Sequence, residues 1–151
     1  MDIKSFEFHC NDKVSELLGD CVPYVLPHHP YVYWILSEYY PSLCYVAQED
    51  GDTIGFVCAL HSTQKNCAFI WQLAVDKEYR RSGVALSLCN KIVEYARDNR
   101  LKSIQITIND ENAASARFFK FFAEQSGSYL EKIELAGLCF FEKENAYEIK
   151  L

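Results

Sequence analysis

The chain has 151 residues, half of them hydrophobic and about a quarter charged, which suits one domain with a real core and excludes a disordered segment. A formal charge of −6, with Lys and Arg scattered among the acids, excludes the basic face that nucleic acid requires, and no apolar run approaches membrane-spanning length. Seven cysteines, odd in number, dispersed and without a Cys-x-x-Cys, argue against a disulfide framework or zinc site and for reduced thiols in a cytoplasmic protein.

The polar start Met1-Asp2-Ile3-Lys4 shows no targeting segment, and Ile3 to Cys10 reads as a first strand. Asn11 or Asp12 is expected to cap a short helix running through Val14, Leu17 and Leu18 to about Asp20. Two prolines make Val25-Leu26-Pro27-His28-His29-Pro30 a loop, and Tyr31 to Tyr39 an aromatic helix stopped by Pro41. Leu43 to Gln48 and Thr53 to Leu60, joined through Asp50-Gly51, form a hairpin pattern. Ala68 to Val75 is an apolar strand interrupted by Gln72. Val84 to Arg97 places Leu86, Cys89, Ile92, Val93 and Ala96 on one face of a helix, and Ser103 to Ile108 alternates as a strand. Asn109 or Asp110 is expected to cap a helix from about Asn112 to Gln125, and strands over Tyr129 to Leu135 and Ala146 to Leu151 end the chain. Without repeats, linkers or low-complexity tracts, the organisation predicted is a single domain over residues 1–151.

The chemistry concentrates in the turn Arg80-Arg81-Ser82-Gly83-Val84-Ala85 between a strand and a helix. A helix opening there leaves backbone N–H groups unpaired, and with the helix dipole they make an anion site. Arg80 and Arg81 add cationic donors, Gly83 permits close approach, and Ala85 is too small to block it. A pyrophosphate-bearing ligand fits such a turn. The nucleoside triphosphate and dinucleotide glycine patterns are both absent. His28-His29 lack an acidic or cysteine ligand nearby and do not read as a metal site.

Arg80-x-x-Gly83-x-Ala85 after Leu73-Ala74-Val75, with Asn112-Ala113-Ala114-Ser115-Ala116-Arg117-Phe118-Phe119 downstream, resembles the GNAT superfamily of N-acetyltransferases. Within it, Trp71-Gln72-x-Ala74-Val75 and Asn112-x-Ala114-Ser115-x-x-x-Phe119-x-x-Phe122-Ala123 look like the L-2,4-diaminobutyrate acetyltransferases of ectoine synthesis, with further likeness over Tyr31 to Ala47, Thr107 to Ala123 and Glu142 to Leu151. The resemblance implies an α/β fold, a mixed and mostly antiparallel central sheet flanked by helices, and a possible homodimer. It implies acetyl-CoA as acyl donor, with Leu73, Ala74 and Val75 along the pantetheine arm, Arg80 to Ala85 at the pyrophosphate, and Asn112, Ser115 and Phe119 near the coenzyme. Phe119 stands where the superfamily often carries a thiolate-protonating Tyr.

The implied reaction is direct acetyl transfer to a primary amine of a small diamine or amino acid. That family usually has an Asp and an Asn-Ser pair before the residue matched by Tyr31, whereas this chain reads Leu26-Pro27-His28-His29-Pro30, which points to a diaminobutyrate-like amine rather than diaminobutyrate itself. Tyr31, Tyr33, Glu38, Trp71, Gln72 and Thr107 are the candidate substrate-binding residues, and Glu142 and Glu144 the candidate general bases. The alternatives are acetylation of a polyamine, a drug or a peptide N-terminus, or a non-catalytic acyl-CoA-binding protein, which the Tyr-to-Phe difference at Phe119 favours.

Overall fold

A computed structural model describes residues 1–151. Seven strands, β1 (Asp2–Ser5), β2 (Cys44–Glu49), β3 (Asp52–Ser62), β4 (Cys67–Val75), β5 (Ser103–Asn109), β6 (Glu131–Ile133) and β7 (Glu144–Lys150), stand in the order β1-β2-β3-β4-β5-β7-β6. The pairings β1–β2, β2–β3, β5–β7 and β6–β7 are antiparallel. The four helices are α1 (Asn11–Gly19), α2 (Pro30–Tyr39), α3 (Val84–Asp98) and α4 (Ala113–Gln125). The chain resolves into two compact units, Met1–Leu60 with Ile70–Tyr95 and His61–Phe69 with Ala96–Leu151.

In the first unit the core gathers Phe6, Val14, Leu18, Tyr33, Leu36, Val46 and Phe56, all buried. The first strand is shorter than its sequence suggests. Ile3 and Phe6 are three apart, so strict alternation cannot bury both; the strand ends at Ser5 and Phe8–Cys10 forms a 3-10 turn. Phe6 turns inward, edge-on to the rings of Tyr33 and Phe56. Neither Asn11 nor Asp12 caps α1: Cys10 stands at the cap without a side-chain bond, and Asn11 is buried inside the helix.

The β2–β3 hairpin turns through Asp50 and Gly51 at φ 50° and 88°, the left-handed pair that a two-residue hairpin turn requires. The register slips between Ala47 and Gln48, leaving Ile54 as the extra residue, and its carbonyl accepts the N–H of Asp76 at 2.9 Å instead. The buried face of α3 runs Val84, Leu88, Cys89, Ile92, Val93 and Ala96; of the residues expected there only Leu86 departs, being half-buried.

In the second unit β7 lies between β5 and β6, in register from Ser103 opposite Lys150 to Asn109 opposite Glu144. Ile104, Ile106 and Ile108 are buried on one face. On the other, the Glu148 carboxylate accepts the Ser103 hydroxyl at 2.8 Å and the Gln105 amide at 3.0 Å. The cap of α4 is Asn112 rather than Asn109 or Asp110, because its side-chain oxygen is the one that accepts the Ser115 N–H.

At Gly55, β3 packs closely against α3. A Cβ there would come within 2.7 Å of Val84 Cγ1 and 2.9 Å of Leu88 Cδ1, and the β-branched valine has little freedom to yield. Gly55→Ala is expected to destabilise the protein by about 1–3 kcal/mol, read as a lowered denaturation midpoint. The amide of Gln105, then the hydroxyl of Ser103, hold the Glu148 carboxyl below its ordinary value against the opposing push of burial. Its stabilisation is therefore present above the unfolded pKa and lost as pH falls through the lower folded one. Glu148→Gln should flatten the decline of melting temperature with acid below about pH 4.5.

Candidate active site

The turn read from the sequence as a candidate anion site lies between the end of β4 and the start of α3. Arg81 at φ 65° and Gly83 at φ 93° carry the chain through two left-handed positions into the helix, and nothing lies within 4 Å of where a Gly83 Cβ would stand. The Ser87 N–H reaches back to the Gly83 carbonyl at 2.9 Å, so the amides of Val84, Ala85 and Leu86 precede the first helical bond and have no acceptor within the helix. Ser82 tightens the turn by donating its hydroxyl to the Tyr79 carbonyl. Arg80 donates Nε to the Val75 carbonyl at 3.3 Å, which ties the turn to the last residue of β4. A neighbour invisible in sequence is Cys21: burial raises its thiol, while the charge and hydrogen bond of Arg80 oppose that rise.

One corner of the first unit joins several candidate substrate residues. Gln72 is 5% exposed and Tyr33 fully buried. The Tyr33 hydroxyl donates to Gln72 Oε1 at 3.2 Å and accepts the His28 backbone N–H at 2.9 Å. Gln72 Nε2 donates to the Leu26 carbonyl at 2.7 Å. Burial raises Tyr33 above an ordinary phenol, so it acts as a neutral donor. The His28 imidazole lies 4.5 Å from the Trp71 ring, tilted by 36°. Tyr31, by contrast, is exposed and stacks on Trp34, and Glu38 is exposed on α2.

The remaining candidates lie in the second unit. Asn112 and Ser115 form the α4 cap, and Phe119 is buried against Phe118 and Phe122. Thr107 is half-buried opposite Ala146. Glu142 is exposed just before β7, and Glu144 accepts from Asn109 Nδ2 at 3.4 Å. The sequence marks Leu26 and His28 only as members of a loop that departs from the family pattern and gives neither a role in the site. The available signal was Gln72 itself, a polar residue in an apolar strand that had to find partners.

The buried thiols carry no nucleophilic chemistry. Burial pushes Cys58 up to about 12 and also raises Cys89, while for Cys44 burial and the neighbouring Cys58 act together. All three are neutral thiols at working pH, which disfavours an acyl-enzyme on them.

Residues 11–123 match the acetyltransferase (GNAT) family, and the chain belongs to it. Among curated relatives, the L-2,4-diaminobutyric acid acetyltransferase of Vibrio parahaemolyticus is 26% identical over 119 residues, 78% of this chain and 65% of that protein. The enzyme of the same name from Marinococcus halophilus is 32% identical over 96 residues, 63% of this chain and 56% of its own length. The chain thus spans between half and two thirds of the length of these curated relatives. In structure it is similar to the diaminobutyrate acetyltransferase of Paenibacillus lautus, solved with L-2,4-diaminobutyric acid and coenzyme A: TM-score 0.87 and 27% identity, covering 99% of this chain and 93% of that one. No helix is long and apolar enough to cross a membrane.

Iodoacetamide applied to the native protein near pH 8 should label exposed Cys139 and spare Cys44, Cys58 and Cys89 until denaturant is added, with mass spectrometry locating the label.

Proposed function

We propose that the chain transfers the acetyl group of acetyl-CoA to a primary amine of a small diamine or amino acid resembling diaminobutyrate. The observation that carries this reading is the open mouth of α3, where free amides, Gly83 and two arginines follow the short turn that leaves β4. A diphosphate seated there is bound by backbone donors and the helix dipole, with guanidinium groups adding charge-assisted bonds. The same seat directs a pantetheine arm along Leu73, Ala74 and Val75, whose backbone amides are the natural donors to a carbonyl oxygen that turns negative during attack. The coenzyme supplies the activated thioester; the chain's own residues grip it, orient the amine and take up its proton.

The amine side is supported by the Trp71–Gln72–Tyr33 corner, with Thr107, Tyr31 and Glu38 as further candidates and Asn112, Ser115 and Phe119 as candidate coenzyme contacts. An alkyl ammonium with a pKa of about 10.4 costs roughly 4–5 kcal/mol to deprotonate at pH 7, so the site must supply a proton acceptor or desolvation. On the family resemblance, the reading includes a homodimer in the cytoplasm, with neither nucleic acid nor membrane as partner.

Release of free thiol from acetyl-CoA, followed across a panel of diamines, amino acids, polyamines and peptide N-termini, tests the proposal. Turnover concentrated on diaminobutyrate-like amines is expected. Best turnover with polyamines or peptides would move the substrate class, and tight coenzyme binding with no turnover would make the protein a sensor. Replacing Arg80 and Arg81 together by Ala should raise the Kd for coenzyme A about 10- to 100-fold by calorimetry, from loss of about 1.5–3 kcal/mol of charge-assisted bonding.

A further inference from the structure

We propose that His28 is the proton acceptor for the incoming amine, its Nε2 taking one proton from the substrate ammonium. This rests on the acetyltransferase reading above. In the corner where His28 lies, the polar groups around it are already committed. The Tyr33 hydroxyl has two partners, Gln72 uses both its oxygen and its nitrogen, and His29 Nδ1 accepts the Tyr31 N–H at 3.2 Å. His28 Nε2 alone in this corner is a buried side-chain nitrogen with no hydrogen-bond partner. Such a group costs stability, and natural structures keep few of them without a use.

Placement makes it useful. His28 is held from behind, its backbone N–H on Tyr33 and its ring against Trp71, so the imidazole is positioned rather than free. Trp71 is 39% exposed and the histidine itself partly exposed, so the ring pair reaches the surface of the corner, and Nε2, covered here, is uncovered by the incoming amine in this proposal. Along β4, Trp71, Leu73 and Val75 project to one face, and Trp71 and Leu73 are separated by about 7 Å of strand. An amine beside the Trp71–His28 pair is therefore within a short step of a thioester laid along Leu73 to Val75.

Burial lowers the pKa of His28, so the ring is neutral and ready to accept at pH 7. The titratable side chain facing it from α2 is Tyr33, itself neutral; from β4 its ring meets Trp71, which carries no charge. Glu142 and Glu144, the carboxylates suggested by the sequence for this step, are respectively exposed and engaged with Asn109.

The step balances. Nε2 takes one proton from R–NH3+; the freed lone pair forms the C–N bond; the C–S bond breaks with its electrons on sulfur. A second amine proton ends on the thiolate to give the thiol, and the imidazolium returns its proton to water.

His28→Gln should lower kcat about 10²- to 10⁴-fold, with little change in the KM for acetyl-CoA, and should remove the acid limb of kcat/KM that the unaltered protein shows below about pH 6.5. A variant that keeps both kcat and the limb overturns the assignment, as does loss of the limb in Glu142→Gln/Glu144→Gln instead. Should His28→Gln fail to fold, ¹⁵N resonances of the unaltered protein decide: the His28 Nε2 signal should move when the amine is added to the coenzyme A complex, and a static signal overturns the proposal. No turnover by the unaltered chain with any amine would overturn the acetyltransferase reading, and this assignment with it.

Discussion

Gln72 is a buried polar side chain in a strand whose neighbours are apolar, and its amide cannot stay unpaired without a cost of about 1–3 kcal/mol. That constraint organises the first unit. Its oxygen takes the Tyr33 hydroxyl of α2, its nitrogen the Leu26 carbonyl of the preceding loop. Helix, loop and strand are thereby held in one arrangement, and His28 comes to rest on Trp71 as a consequence. A loop bracketed by prolines, which fix φ and restrict the residues before them, is well suited to being pinned in this way.

The turn proposed as the anion site is governed by a different physics. It depends on backbone that the helix leaves unpaired rather than on side chains brought from afar, so it is local in sequence. Arg80 has a second duty, since its bond to the Val75 carbonyl couples the turn to the strand end where the thioester is proposed to lie. The neutral buried thiols and the neutral Tyr33 leave the interior of this unit free of competing charge near that strand. A direct transfer, in which a positioned base and backbone donors share the work, suits such an interior better than a covalent relay.

Much of the fold was legible because its signals are local. Asp50-Gly51 specifies a hairpin turn almost alone, alternation at Ile104, Ile106 and Ile108 marks a half-buried strand, and Pro41 stops α2. The errors fall where two local signals competed. Phe6 and Phe8 looked strand-like, but burying Phe6 against Tyr33 and Phe56 broke the alternation. Asn11 looked like a cap but was drawn into the core side of α1, and Asn112 outcompeted two earlier candidates because its carboxamide sits at the right offset from Ser115.

The sequence by itself determined the turn between β4 and α3, since a helix mouth, a glycine and adjacent arginines need only neighbouring residues to come together. It determined the family for the same reason, the motifs being short and contiguous. Tertiary structure alone decided which polar groups meet across long separations: Tyr33 with Gln72, 39 residues apart, and Gln72 with Leu26, 46 apart. Whether a histidine in a proline-bracketed loop is a solvated surface group or an unpaired base beside a tryptophan depends on packing, because burial and the absence of a partner are properties of surroundings and not of residue type.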